Sequence, residues 1–305
     1  MKTRLPLWIL AVLMGCGKQL GSDIRTGTLH VLATDAYLPL IQQEAEEYHR
    51  IYASAAVQVL GMTTRDAIVQ MINDSAACIV VDRPLNAEEH AAVQEAGMRV
   101  VETEIASDAL AILVHSSNRA KSLSAETLGG IVAGRLTDWR MVPDSKFSGP
   151  IELCLTGRNS GLYELLTRHF FKMGKDVVPS FVAPSQNDVI AYVGLHPSAI
   201  GVIPYAAWED TTQAKGRRFK KDVRLLDVQT KEGSGGEAVK LNQSNIYNRV
   251  YPLVYSLYIY TSEKNPGVAQ GFSTFVASMP GQKVFWDAGL VPKTVPYRVI
   301  QLTQE

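Results

Sequence analysis

The chain has 305 residues, of which 46% are hydrophobic and 20% charged. This is ordinary globular composition, and at roughly 150 residues per domain it accommodates one two-lobed protein or two domains. Lysine plus arginine and aspartate plus glutamate balance at 30 each. The balance removes the electrostatic case for a nucleic-acid partner, and the densest basic run, residues 215–221 (KGRRFKK), reads as a solvated loop.

The N-terminus carries Lys2 and Arg4, then an apolar stretch over residues 5–13. About nine apolar residues are too few for a transmembrane helix, which needs roughly 20, but they suit the core of a secretory signal. Leu13-Met14-Gly15-Cys16 follows directly and resembles the lipobox of bacterial lipoproteins. The expectation is a signal peptide over 1–15, acylation of Cys16, and a polar tether over 16–27. No other apolar run approaches spanning length, so the membrane attachment expected is the lipid alone.

Beyond the tether, a pattern of apolar strand, short polar loop and amphipathic helix recurs. Strands are expected at 28–33, 57–60 and 78–81, with helices at 36–52 and 65–72. Residues 100–114 contain strand-like runs, strongest over 105–114. A helix at 124–132, a strand at 151–155 and a helix at 161–173 come next, then a helix at 188–194 and a strand at 199–203. Residues 229–246, with Gly-Ser-Gly-Gly at 233–236, are the most loop-like stretch. Residues 251–261 read as a strand, and 267–279 and 281–288 as helices. Strands alternating with helices indicate an α/β protein with mainly parallel sheets.

Such units leave helix N-termini at one edge of a sheet. Four unpaired N–H groups and the positive dipole end make each terminus suited to an anion. Three loops place hydroxyls there: Thr34, Thr63 with Thr64, and Ser160. Each is also an ordinary N-cap candidate.

An ordered set of segments resembles the phosphate-binding subunit family of bacterial phosphate ABC transporters. The family's first strand and turn correspond to Ala33-Thr34-Asp35-Ala36-Tyr37-Leu38-Pro39-Leu40. Its D-A-P-L corresponds to Asp82-Arg83-Pro84-Leu85, followed by Glu88-Glu89. Its F-x-G-x-I-x-x-W corresponds to the run from Val132 to Trp139, and its R-x-x-G-S-G-T turn to the run from Thr156 to Leu162. The strand Pro197-Ser198-Ala199-Ile200-Gly201-Val202 and the run from Tyr251 to Tyr260 complete the set.

The resemblance implies a type II periplasmic-binding fold: two α/β lobes joined by two crossing strands. Lobe one would be 26–104 with 262–300, lobe two 116–250, and the crossing strands 105–115 and 251–261. It implies a monomer that binds phosphate or another small oxyanion between the lobes, uses no cofactor, and delivers to ABC permease subunits. The implied ligand set is Thr34, Asp35, Thr63, Thr64, Asp82, Arg158, Ser160 and Gly161. Asp82 would accept the proton of a hydrogen phosphate; its other reading is a turn cap after a strand. Cys78 and Cys154 would be separate buried thiols, one in each lobe.

Several positions depart from the family pattern. Asp35 replaces a threonine, and a carboxylate about 4 Å from a bound anion costs on the order of 4 kcal/mol per unit charge at an effective dielectric near 20. Leu162 replaces another threonine. Arg158 lies two residues before Ser160, whereas the family arginine lies four before, where this chain has Thr156. These departures keep open a ligand-sensing or interaction lipoprotein of the same fold. An enzyme reading is weak. The six histidines (His30, His49, His90, His115, His169 and His196) form no metal-binding spacing. A Ser160 hydrolase would have to use His169, nine residues along the same helix.

Overall fold

The computed structural model describes residues 23–143, 145–171, 176–210, 218–230, 236–262 and 267–294. The signal peptide, Cys16, residues 215–217 of the basic run, residues 233–235 and the segment 295–300 lie outside the described residues.

Strand β1 (Gly27–Thr34) pairs in parallel with β2 (Ala55–Met62) on one side and β3 (Cys78–Val81) on the other. All four residues of β3 are buried, as expected of a strand covered on both faces. The helix expected over 36–52 is split. Asp35–Tyr37 form a 3-10 turn, and α1 (Leu38–Ile51) begins with Pro39 in its first turn, where a missing N–H costs nothing. Helix α2 (Thr64–Ile72) follows β2, and α3 (Ala87–Glu95) follows β3. Asn86 and Glu89 form a reciprocal capping box at the start of α3.

The long strand β4 (Val101–His115) belongs to both halves of the molecule. Residues 101–109 pair with β12 (Val254–Thr261), which in turn lies antiparallel to β3. Residues 110–114 pair instead with β8 (Ala199–Pro204). Strand β8 lies parallel to β6 (Glu152–Thr156), and β6 to β7 (Phe181–Ala183). The strand order is therefore β2-β1-β3-β12-β4-β8-β6-β7. The strand expected from residue 251 begins only at Val254, because Pro252 has no N–H for a ladder; Tyr251 instead donates its hydroxyl to the Leu110 carbonyl at 2.8 Å.

Helices α4 (Ala125–Val132), α5 (Gly161–Phe170), α6 (Gln186–Leu195) and α7 (Tyr205–Glu209) belong to the second half. It also contains a small sheet of β5 (Ser122–Ser124), β10 (Asp227–Gln229) and β11 (Ala238–Val239). Strand β9 (Val223–Leu225) adds to the end of β4, and α8 (Gln243–Tyr247) leads back towards β12. Gly134, at φ +67°, ends the turn after α4 in a conformation that favours glycine. Trp139, fully buried nearby, donates its indole N–H to the Ser198 carbonyl at 2.8 Å.

After β12 the chain returns to the first half. Helices α9 (Val268–Val276) and α10 (Met279–Asp287) pack against α1, with Tyr48 edge-on to Phe272 and Phe275 at 5.5 and 5.3 Å, and β13 (Val291–Pro292) pairs with β4. The molecule is thus two α/β lobes of a type II periplasmic-binding fold. Lobe one has a core on each face of its sheet; lobe two has one large core. Cys78 lies in β3 and Cys154 in β6; both are buried and neither forms a disulfide. Among the described residues, no helix is long and apolar enough to cross a membrane.

Candidate functional site

The carboxyl ends of β1, β2 and β3 lie side by side because these strands are parallel neighbours. They deliver Thr34, the pair Thr63 and Thr64, and Asp82 to one edge of lobe one. Across from them, β6 ends at Thr156 and turns into α5 through Gly157, Arg158, Asn159 and Ser160. A cavity of about 740 Å³ opens between the two edges. Lobe one contributes Thr34, Asp35, Met62 and Thr63 to it; lobe two contributes the 156–160 turn and the start of α6 at Ser185 and Gln186.

Beneath the cavity, four of the residues expected from sequence form one hydrogen-bonded cluster. The Thr64 hydroxyl donates to Asp82 Oδ1 at 2.6 Å and accepts the Gly161 N–H at 3.1 Å. The Thr34 hydroxyl lies 3.0 Å from that of Thr64 and 3.4 Å from the Val80 carbonyl. Asp82 is 2% exposed. Burial pushes its carboxyl above the usual range, and the Thr64 hydroxyl, its own backbone N–H and neighbouring Arg83 pull only partly the other way. Gly161 has no alternative here, since a Cβ at this position would lie 1.7 Å from Asp82 Oδ1.

The remaining expected residues behave differently. Thr63 caps α2, accepting the Asp66 N–H at 3.2 Å and donating to Asp66 Oδ2 at 2.6 Å. Ser160 caps α5 by accepting the Tyr163 N–H at 3.3 Å; it also donates to the Gly157 carbonyl at 2.7 Å and accepts from Thr156 at 3.1 Å. These hydroxyls are committed within their own turns. Asp35 is exposed at the cavity rim, folded over Gly61, and what burial it has raises its carboxyl. Arg158 is 73% exposed, pairs with Asp176 at 2.8 Å and lies over the Tyr163 ring. His169 packs against Phe170 at the far end of α5, about 13 Å along the helix from Ser160 at 1.5 Å per residue.

Two groups near the site escaped sequence reasoning. Arg83 is 1% exposed. It forks onto Glu89 at 2.7 and 2.8 Å, donates to Glu164 Oε1 at 3.3 Å, and also ion-pairs with Glu164 through Nε. Its only signal was the substitution of an arginine into an otherwise apolar D-A-P-L-like segment. The second is Asp108, fully buried in β4 where the two lobes join. It accepts hydrogen bonds from Tyr37 (2.9 Å), Tyr255 (3.3 Å) and the backbone N–H groups of Ala206 (3.3 Å) and Ala109 (2.7 Å). Burial raises its pKa to about 6 in spite of those donors. A lone aspartate inside the apolar run Ile105 to Val114 was the available signal. Among the described residues, no group of side chains could hold a metal ion.

Helix N-termini and hydroxyls thus gather around a buried acid between two lobes, and solved structures share the fold. A protein described as a putative phosphate ABC transporter substrate-binding protein with bound phosphate, from Clostridium perfringens, superposes with a TM-score of 0.72 at 20% identity, covering 88% of this chain and all of the other. An ABC-type phosphate transport receptor from Vibrio cholerae gives 0.67 at 19% identity over 87% of this chain and all of its own. By sequence, Protein SphX of Synechococcus elongatus is 26% identical over 263 residues, 83% of this chain and 74% of the relative. The phosphate-binding protein PstS of Pseudomonas aeruginosa is 26% identical over 290 residues, 88% of this chain and 83% of its own. The description of a PBP superfamily domain matches residues 21–279, and with the two-lobed fold and its interlobe cleft this establishes that the chain belongs to the PBP superfamily.

Proposed function

We propose that the chain is an extracytoplasmic solute-binding protein that captures phosphate or a related oxyanion for an ABC importer. One observation carries this reading: Thr34, Thr64 and Asp82 of lobe one meet the N-terminus of α5, at Ser160 and Gly161 of lobe two, across the cleft. A helix N-terminus supplies N–H donors to the oxyanion. An ionised carboxylate at Asp82 accepts the proton of an oxyanion that still carries one and repels an anion with none, and so discriminates against sulfate. The relatives named as phosphate-binding proteins support the same substrate class. Acylation at Cys16 would hold the protein at the membrane, and the partners would be the permease subunits of the importer. Catalysis has no support at Ser160, whose hydroxyl is bonded to a carbonyl rather than to a histidine.

Titration calorimetry of the protein with phosphate, sulfate, molybdate and small carboxylates tests the reading. Phosphate should bind with a Kd well below about 100 μM, roughly −5.5 kcal/mol, and sulfate much more weakly. If none of these anions binds below that concentration, oxyanion capture is wrong. A second reading, a ligand-sensing or interaction lipoprotein without transport, is favoured by one observation: Thr156 stands at the family arginine position, and Arg158 is turned to Asp176. Absence of binding to a purified permease, with phosphate affinity intact, would select it.

A further inference from the structure

The side chain of Arg83 is wholly buried, and its carboxylate partners come from both lobes. Glu89, in α3 of lobe one, takes both terminal nitrogens of the fork. Glu164, in the first turn of α5 in lobe two, takes Nη2 at 3.3 Å and pairs with Nε. Two further bonds cross the same seam: the Gly161 N–H to Thr64 at 3.1 Å, and the Arg65 N–H to the Asn159 carbonyl at 3.3 Å. With the seam drawn together, Asp82 Oδ1 sits where even a methyl group on Gly161 would overlap it. Thr64 is then saturated, donating to Asp82 while accepting from Gly161. The protein's own carboxylate thus stands at the start of α5, the place that would attract an external anion.

We propose that Arg83 and Glu164 form an interlobe latch that holds the seam beside the cavity shut on Asp82, so that an oxyanion reaches Asp82 and the Gly161 N–H only by parting this pair. Arg83 acts here as a positioning residue: it meets Glu89 and Glu164 rather than the ligand. A planar guanidinium can bind two carboxylates at once in fixed geometry, which is why one side chain can tie α3 to α5. Ligand binding and latch closure compete, so weakening the latch strengthens oxyanion binding by removing the cost of opening. The latch itself stands on the ion pair alone; only its effect on affinity rests on the oxyanion reading.

Glu164→Gln tests this while leaving the Arg83–Glu89 pair and lobe one intact. By small-angle X-ray scattering, the radius of gyration of the full-length protein should increase. By hydrogen exchange, the Gly161 amide should exchange at least tenfold faster, while amides of β3 and α3 keep their protection. By calorimetry with inorganic phosphate, the variant should bind at least tenfold more tightly. Arg83→Gln should move the scattering and exchange the same way. Unchanged scattering and Gly161 exchange in Glu164→Gln, or weaker phosphate binding in an opened variant, would overturn the latch. If neither protein binds phosphate, scattering and exchange still decide the latch, and only the phosphate reading falls.

Discussion

Two carboxylates are buried at the junction of the lobes, and they are kept there by different means. Asp108, at the hinge, is surrounded by neutral donors: two tyrosine hydroxyls and two backbone N–H groups. Tyr37 and Tyr255 also touch each other, hydroxyl to hydroxyl at 2.6 Å, so the turn after β1, the strand β12 and, through Ala206, lobe two are tied to one side chain. Asp82, at the cleft, has one hydroxyl donor and an arginine as its chain neighbour, and that arginine reaches across the seam. The bonds to Asp108 gather at the hinge, where β4 itself runs from one lobe into the other. The bonds around Asp82 cross between α5 and lobe one and must break if the lobes part. A buried acid held by neutral groups anchors; a buried acid beside a charged interlobe tie is placed to switch.

The contrast can be broken most strongly at Arg83. Arg83→Leu leaves Glu89 and Glu164 as uncompensated carboxylates in a poorly solvated seam, and loss of one partner from a buried ion pair costs about 3–5 kcal/mol. Urea denaturation should show a loss of that size; a loss under about 1 kcal/mol would mean that the seam is wet and the pair is not structural.

The hinge should respond to pH instead. Asp108 has a folded-state pKa of about 6, against about 3.9 for an aspartate in an unfolded chain. Between those values the folded state binds more protons than the unfolded state, so stability falls as pH rises through that window. Two pKa units amount to about 3 kcal/mol. Melting temperature measured from pH 4 to 7 should therefore fall with rising pH in the native protein and fall less in Asp108→Asn. A parallel decline in both proteins would place the effect elsewhere, for instance on Asp82, whose raised pKa acts in the same direction.

Smaller effects sharpen the lobe-two side of the comparison. Ser160→Ala removes the cap of α5 and should cost about 1 kcal/mol in the same denaturation assay. Its hydroxyl is already satisfied within its turn, so phosphate affinity should change less than for Thr64→Ala. Arg158→Ala breaks an exposed pair with Asp176 and should alter stability by no more than about 1 kcal/mol. If it also abolishes phosphate binding, Arg158 rather than the cluster around Asp82 carries the counter-charge.

Much of the frame was legible in the chain. Period-two apolar runs separated by amphipathic segments marked the alternating strands and helices, and hydroxyls before helical runs marked the caps at Thr63 and Ser160. Both signals are local, set by backbone sterics and by the first unpaired N–H groups of each helix. The order of family-like segments then pointed to two lobes and to Thr34, Thr64, Asp82 and Gly161 as neighbours. What the sequence could not decide was which of the polar groups meet. Arg83 and Glu164 are 81 residues apart, and Tyr37 and Tyr255 are 218 apart; nothing local distinguishes an arginine that enters a seam from one that enters water. Thr63 and Thr64 look alike in sequence, yet one caps its helix at the cavity wall and the other lies in the buried cluster beneath it, because consecutive residues at a helix start face different ways. Those choices depend on long-range packing of one lobe against the other, and only the tertiary structure makes them.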